Sequence, residues 1–243
     1  MLRIEDLHVE IGGKEVLHDI NLHIGEGETH VLMGPNGSGK TTLIRTIMGF
    51  GDYHVTRGAI LYRGRDITNL PIHERARYGI GLMFQRPPTI AGLKLGKMLV
   101  ATSGNRPEEV AEYAAAMNMA EFLDRDINAG FSGGEIKRSE VLQLMIQQPD
   151  FVMLDEPESG VDLENISLIG SAIAKLLEKD RHIVSRHKSG LIITHTGYIL
   201  DYIETDGGHM LCDGEIRCHG NAREMLQLIK AKGYRECIEC KKI

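Results

Sequence analysis

The chain has 243 residues, of which 42% are hydrophobic, enough for a substantial buried core and too many for a disordered chain. A formal net charge of −6, with no long run of lysine or arginine, argues against a nucleic-acid binder, which must neutralise phosphates. The opening MLRIEDLHVE lacks the apolar stretch of a signal peptide, and no later segment approaches the roughly 20 apolar residues of a membrane span, so a soluble, cytoplasmic protein without membrane insertion is expected.

Taken in chain order, LRIEDLHVEI and EVLHDINLHI alternate apolar and polar residues as half-buried strands do, with Gly12-Gly13 as their turn. The apolar run THVLM leads into the glycine loop GPNGSGK and a helical segment from Thr41 to Met48. GIGLMF (79–84), FVML (151–154) and GLIIT (190–194) are short apolar runs separated by helical patterns, the signature of strands buried on both faces of a mainly parallel sheet. Residues 90–128 turn to helix-forming sequence such as PEEVAEYAAAMNMAEFLDR, with apolar spacings of three and four. HMLCDGEIRCHG predicts a hairpin around Asp213-Gly214, and a last helix follows Asn221, a good N-cap.

Gly34, Pro35, Asn36, Gly37, Ser38, Gly39, Lys40 and Thr41 satisfy G-x-x-x-x-G-K-[ST], placed between a strand and a helix as the mechanism requires. Glycines let the backbone wrap phosphates, successive N–H groups and the helix N-terminus supply positive potential, Lys40 reaches the β and γ phosphates, and the Thr41 hydroxyl binds magnesium. Thr42 completes the expected nucleotide contacts. Asp155 and Glu156 end the strand FVMLDEP; Asp155 can hold Mg2+ through a water and Glu156 can take a proton from, or align, the attacking water. Alone, the pair would be an ordinary polar loop; beside a phosphate loop it is a catalytic candidate.

In order, the phosphate loop, LMFQ (Gln85), SGG (132–134), LDEP (154–157), SGVD (159–162) and IITH (His195) resemble the ATP-binding-cassette ATPases over almost the whole chain. That resemblance implies an α/β ABC-ATPase fold: a P-loop core with a mainly parallel sheet, an N-terminal antiparallel β region and an inserted helical subdomain. It makes 1–243 a single ABC ATPase domain, with residues 1–89 and 129–243 as catalytic core, about 90–128 as the helical subdomain, and 234–243 as a tail with CxxC. It also implies that Gln85 contacts magnesium and the attacking water, and that His195 touches the γ-phosphate. Ser132, Gly133 and Gly134 would bind the γ-phosphate of ATP held by a second subunit, making the working unit an ATP-dependent head-to-tail dimer with Asp162 at the junction or capping the next helix. Glu135 stands where most members have a glutamine directed to the ribose, and its charge also suits a helix N-terminus. Ile11 occupies the position of the usual adenine-stacking aromatic.

DYHVTRG (52–58), YRGRDI (62–67), FSGGE, SGVD and ILDYI (199–203) are similar to the SufC-type branch of the family, which serves SUF iron–sulfur cluster assembly. The expected partners are then SufB/SufD-like scaffold proteins, docking on FQRPPTIAGLKL through Ile90, Leu93 and Leu95. The alternative within the family, the cytosolic ATPase subunit of an ABC membrane transporter, shares every nucleotide motif. Cys212, Cys218, Cys237 and Cys240 leave two readings open: a zinc or cluster site, or two small apolar residues and a terminal thiol pair.

Overall fold

The computed structural model describes residues 1–234. In chain order the first half contains β1 (Leu2–Ile11), β2 (Lys14–Ile24), β3 (Thr29–Met33), α1 (Lys40–Met48), β4 (His54–Tyr62), β5 (Arg65–Asp66), α2 (Ile72–Arg77) and β6 (Ile80–Met83). Next come β7 (Ile90–Lys94), α3 (Leu95–Thr102), α4 (Pro107–Ala116) and β8 (Asp126–Ile127). The chain closes with α5 (Gly133–Gln147), β9 (Phe151–Asp155), α6 (Leu163–Leu176), β10 (Ser189–Ile193), β11 (Gly207–Cys212), β12 (Glu215–Gly220) and α7 (Ala222–Lys232).

The central sheet runs β12-β11-β3-β10-β9-β6, parallel throughout except for the edge strand β12. Its three central strands, β3, β10 and β9, are fully buried, and alternate side chains enter two different cores, as a pleat of period two dictates. Leu32, Phe151, Met153, Leu191 and Ile193 face one core, which also holds α1 (Leu43, Ile44, Ile47) and the antiparallel sheet β2-β1-β4-β5. Val31, Met33, Val152, Leu154 and Ile192 face the other, filled by Leu142 and Leu144 of α5, Ile169 and Ile173 of α6 and Met225 of α7. Burial on both faces is why these strands read as uninterrupted apolar runs.

The predicted hairpins are present: Gly12 and Gly13, and Asp213 and Gly214, all have the positive φ that tight two-residue turns demand. At Gly214 the constraint is also steric, since a Cβ would stand 2.4 Å from the Val16 carbonyl. The tip of β11–β12 is thereby fastened to both β2 and the phosphate loop, through His18 N–H to the Gly214 carbonyl (3.0 Å) and Gly214 N–H to the Ser38 carbonyl (3.1 Å). Asn221 caps α7 by accepting from the Arg223 and Glu224 amides, a contribution of about 1 kcal/mol.

Residues 90–128 differ in part from the helical expectation. They begin as strand β7, which pairs with β8 through Ile90 opposite Ile127, so α3 rests on a two-stranded base and α4 packs on α3 and α5. Gly92 has φ +80°, outside both helical and strand conformations, and the β7–β8 register is irregular between Ile90 and Lys94 around it.

One histidine pair, His30 buried and His209 half-buried, has a pH consequence. His30 of β3 and His209 of β11 stack with centroids 5.0 Å apart and share a 2.8 Å ring-nitrogen hydrogen bond, while His30 Nε2 meets Glu28 Oε2 at 3.1 Å. Burial, then the charges of His30 and His219, pushes His209 down to about 3, and burial also lowers His30 despite Glu28. Below the unfolded value of 6.5 the unfolded chain takes up a proton that folded His209 refuses, so stability is complete above 6.5 and falls as pH drops towards 3. Between pH 6.5 and 5 the loss from this residue should reach about 2 kcal/mol. Thermal unfolding at pH 7.5 and 5 should show a smaller drop for His209→Gln than for the parent; equal drops would remove His209 from the account.

Candidate active site

Four neighbouring parallel strands, β3, β10, β9 and β6, deliver the predicted residues from their C-terminal ends, the end at which open α/β sheets bind ligands. β3 leads into the phosphate loop, β10 into His195, β9 ends at Asp155 with Glu156 next, and β6 leads to Gln85. Residues of the phosphate loop, Gln85, Glu156 and His195, with Val16, line a cavity of about 380 Å³, and Asp155 lies behind Thr41 outside its lining. Gly34 is required by close approach: a Cβ there would sit 2.1 Å from the Leu211 carbonyl of the adjacent strand.

The loop opens onto α1, whose first turn carries no acidic residue, so its dipole and free N–H groups present positive potential. Lys40 is buried, and its Nζ donates to the carbonyls of Gly34 (2.8 Å) and Pro35 (2.9 Å). Burial lowers its pKa, opposed by the charges of Glu156 and Asp155. Asn36, Gly37, Gly39, Thr41 and Thr42 also border the cavity, while Ser38 is buried with its hydroxyl unpartnered.

Asp155 is almost wholly buried; burial, then the charge of Glu156, raises its pKa, and the Thr41 hydroxyl donates to its Oδ2 at 3.2 Å. Its Oδ1 is buried with no protein hydrogen-bond partner. A buried carboxylate with an orphaned oxygen beside a hydroxyl is the hard-oxygen donor set that suits Mg2+. Glu156 adopts a positive φ of 51°, a strained conformation for a non-glycine residue that is held by its N–H donating to the Ile193 carbonyl at 3.0 Å. Its carboxylate is bracketed: Gln85 Nε2 donates to Oε2 at 2.7 Å and His195 Nε2 lies 2.8 Å from Oε1. Burial, then the charge of Lys40, lowers the His195 pKa, with Glu156 and Glu158 opposing. The geometry fits a neutral imidazole donating Nε2–H to the glutamate.

Ser132, Gly133, Gly134 and Glu135 do not border this cavity. Ser132 caps α5 in a reciprocal box: its N–H donates to Glu135 Oε2 at 2.6 Å, and its hydroxyl accepts the Glu135 N–H at 3.4 Å. The Ser-x-x-Glu spacing is the sequence signal for this box. A Cβ on Gly133 would meet the Gly160 carbonyl at 2.7 Å, so the SGG turn is packed against the SGVD segment. Asp162 caps α6 by accepting the Asn165 N–H at 2.8 Å.

Two residues that sequence reasoning passed over belong to the site. Val16, one strand later than Ile11, borders the cavity, and Ile11 does not. Glu158 is buried and accepts hydrogen bonds from the hydroxyls of Thr194 and Thr196 (the latter 3.0 Å), gripping both neighbours of His195. Of the docking candidates, Ile90 and Leu93 are exposed, but Leu95 is fully buried in the core and offers no surface, because it opens α3 facing inward. Cys212 and Cys218 are buried, and Cys237 and Cys240 lie outside the described residues. Among the described residues no helix is long and apolar enough to cross a membrane.

Comparison with known proteins agrees in kind. Residues 17–159 match the family model described as ABC transporter. Vegetative protein 296 of Bacillus subtilis is 40% identical, covering 96% of this chain and 91% of that protein. A probable ABC transporter ATP-binding protein of Streptococcus pyogenes serotype M18 is 38% identical (96% and 93% covered), and a probable ATP-dependent transporter of Cyanophora paradoxa 36% (96% and 93%). Among solved structures, a nucleotide-free ATP-binding cassette from an ABC transporter superposes with TM-score 0.78 at 24% identity, covering 96% of this chain and 95% of that one. A dimeric bacterial ABC transporter cassette does so with TM-score 0.77 at 22% identity, covering 92% and 99%.

Proposed function

This chain belongs to the ABC transporter ATPases, an ATP-hydrolysing family, and on that premise we propose that it works as a SufC-like subunit whose ATP-driven, head-to-tail dimerisation changes the conformation of a SufB/SufD-like scaffold during iron–sulfur cluster assembly. The observation that carries the catalytic part is the Glu156 carboxylate, held by Gln85 and His195 at the mouth of the phosphate loop. ATP phosphates would lie against the backbone of residues 34–39 and Lys40, with Thr41 and Thr42 opening the helix beneath them. Thr41, Asp155 and Gln85 would hold Mg2+, which when bound neutralises charge on the β and γ phosphates. Glu156 accepts a proton from the attacking water as its oxygen bonds the γ-phosphorus and the bond to ADP breaks, and neutral His195 donates towards the developing phosphate charge.

Dimerisation is supported by the separation of two phosphate-binding features. The SGG turn opens α5 outside the cavity that contains the phosphate loop, and with the Ser132 N–H given to Glu135, the N–H groups of Gly133 and Gly134 would serve a second subunit's ATP. Residues 90–128 form the helical subdomain in this reading, and exposed Ile90 and Leu93 form the docking surface beside Gln85. The SufC-type assignment rests on DYHVTRG and FSGGE. A second reading, the ATPase subunit of a membrane transporter, is favoured by the names of relatives such as the Streptococcus pyogenes protein.

A pull-down with the intact chain separates the two readings: recovery of a scaffold protein supports the first, and recovery of a polytopic membrane protein sinks it in favour of the second. Ile90→Asp or Leu93→Asp should weaken capture of the scaffold while leaving ATP affinity unchanged; parallel loss of both would indicate misfolding.

A further inference from the structure

Two charged side chains of α5 close on the strand end that carries Gln85. Lys137 and Glu140, one turn apart and both buried, approach the same stretch of main chain from different sides. Lys137 Nζ donates to the carbonyls of Phe84 and Gln85, each at 3.0 Å, and Glu140 Oε2 accepts the Phe84 N–H at 3.1 Å. These are side-chain to backbone bonds, so they fix where the Gln85 main chain stands and leave its amide free to reach Glu156.

Helix packing does not demand charge here. Val141, Leu142 and Leu144 on the same helix are apolar and buried, and β6 beside it is apolar too. Burial raises the Glu140 pKa to about 7 and lowers that of Lys137, because both groups lose contact with water. Ionisable groups sit in a core at such cost only where hydrogen bonds hold them, and here, apart from a 3.5 Å bond from Gln143 Nε2 to Glu140 Oε1, those bonds go to one stretch of main chain. The helix that carries them begins at the Ser132–Glu135 cap, so these bonds tie the Gln85 main chain to the same helix as that N-terminus.

We propose that Glu140 and Lys137 are positioning residues for ATP hydrolysis: they clamp the Gln85 main chain to the helix headed by Ser132–Gly134, so engagement of a second subunit's nucleotide and presentation of Gln85 to Glu156 occur together. This rests on the reading of Gln85 and Glu156 as the groups that direct the attacking water.

The test uses the full chain with Glu140→Ala, Glu140→Gln, Lys137→Met and, as reference, Gln85→Ala. Readouts are steady-state ATPase, binding of a fluorescent ADP analogue, and hydrogen exchange of the peptide spanning 80–88. Glu140→Ala and Lys137→Met should lower kcat about tenfold or more, with KM and analogue affinity within about twofold of the parent. Exchange should rise at Phe84 and Gln85. Glu140→Gln, whose amide oxygen still accepts the Phe84 N–H, should recover most of the lost kcat. Parent-like kcat in Glu140→Ala and Lys137→Met, with Gln85→Ala impaired, overturns the clamp; so does a kcat loss matched by an equal loss of analogue binding. Normal turnover in Gln85→Ala overturns the reading of Gln85 itself, and the clamp with it. Should Glu140→Ala fail to fold, Lys137→Met decides by the same criteria.

Discussion

Glu156→Gln should bind ATP with parent-like affinity, hydrolyse it about 10²–10⁴-fold more slowly, and accumulate as a closed dimer. The substitution preserves volume, and its amide oxygen can still accept from His195, which stands 2.8 Å from Oε1 in the parent. What it removes is the group able to take the proton of the attacking water. It also removes a negative charge beside Asp155, whose pKa the Glu156 carboxylate helps to raise, so the carboxylate that would hold Mg2+ is retained in its ionised form. Binding and chemistry should therefore separate cleanly. Phosphate release, titration with a fluorescent nucleotide, and light scattering with and without ATP measure the three quantities. Parent-like phosphate release would remove Glu156 from the role of base.

Lys40→Ala should fail earlier, at binding. Its buried ammonium borders the cavity, whose described lining has no other lysine or arginine, and it is held between the Gly34 and Pro35 carbonyls at the mouth of the loop. Charge-assisted hydrogen bonds of about 1.5–3 kcal/mol correspond to an ATP affinity roughly 10–100-fold weaker. Because two loop carbonyls also lose their donor, the loop itself should loosen, visible as faster hydrogen exchange over residues 34–40. An affinity equal to the parent's would mean that backbone N–H groups alone carry the phosphates. Comparison of the two variants is informative: one should saturate with nucleotide and stall, whereas the other should need far more nucleotide to saturate.

Legibility of the site followed sequence distance. The phosphate loop, the Asn221 cap and the Asp213-Gly214 turn are local constructions, in which a handful of consecutive residues satisfy their own backbone geometry. Glu156 is legible from its place at the end of an apolar run beside a phosphate loop, whereas Gln85 and His195 stand out only through the resemblance to the cassette ATPases, which sets each of them after such a run. Glu158 was not, because its partners Thr194 and Thr196 lie on another strand's exit. Lys137 and Glu140 escaped notice for the same reason: on a helix their charges suggest a solvated face, and only the neighbouring strand end reveals their use. Val16 rather than Ile11 borders the cavity because the β1–β2 hairpin turns between them, at Gly12 and Gly13. Glu135 was legible in type but not in bonding, since its carboxylate turns back to the Ser132 amide.

By itself the sequence determined the α/β class, the order of the buried strands, the phosphate-binding loop and the short-range caps and turns, because periodicity and local hydrogen bonding are written in adjacent residues. The tertiary structure alone decided which strands are neighbours. The order β3-β10-β9-β6 brings residues 40, 195, 156 and 85 to one edge from positions far apart in the chain. It also decided which charges are buried and what holds them, because burial and hydrogen-bond partners are properties of packed surfaces, which no single segment contains.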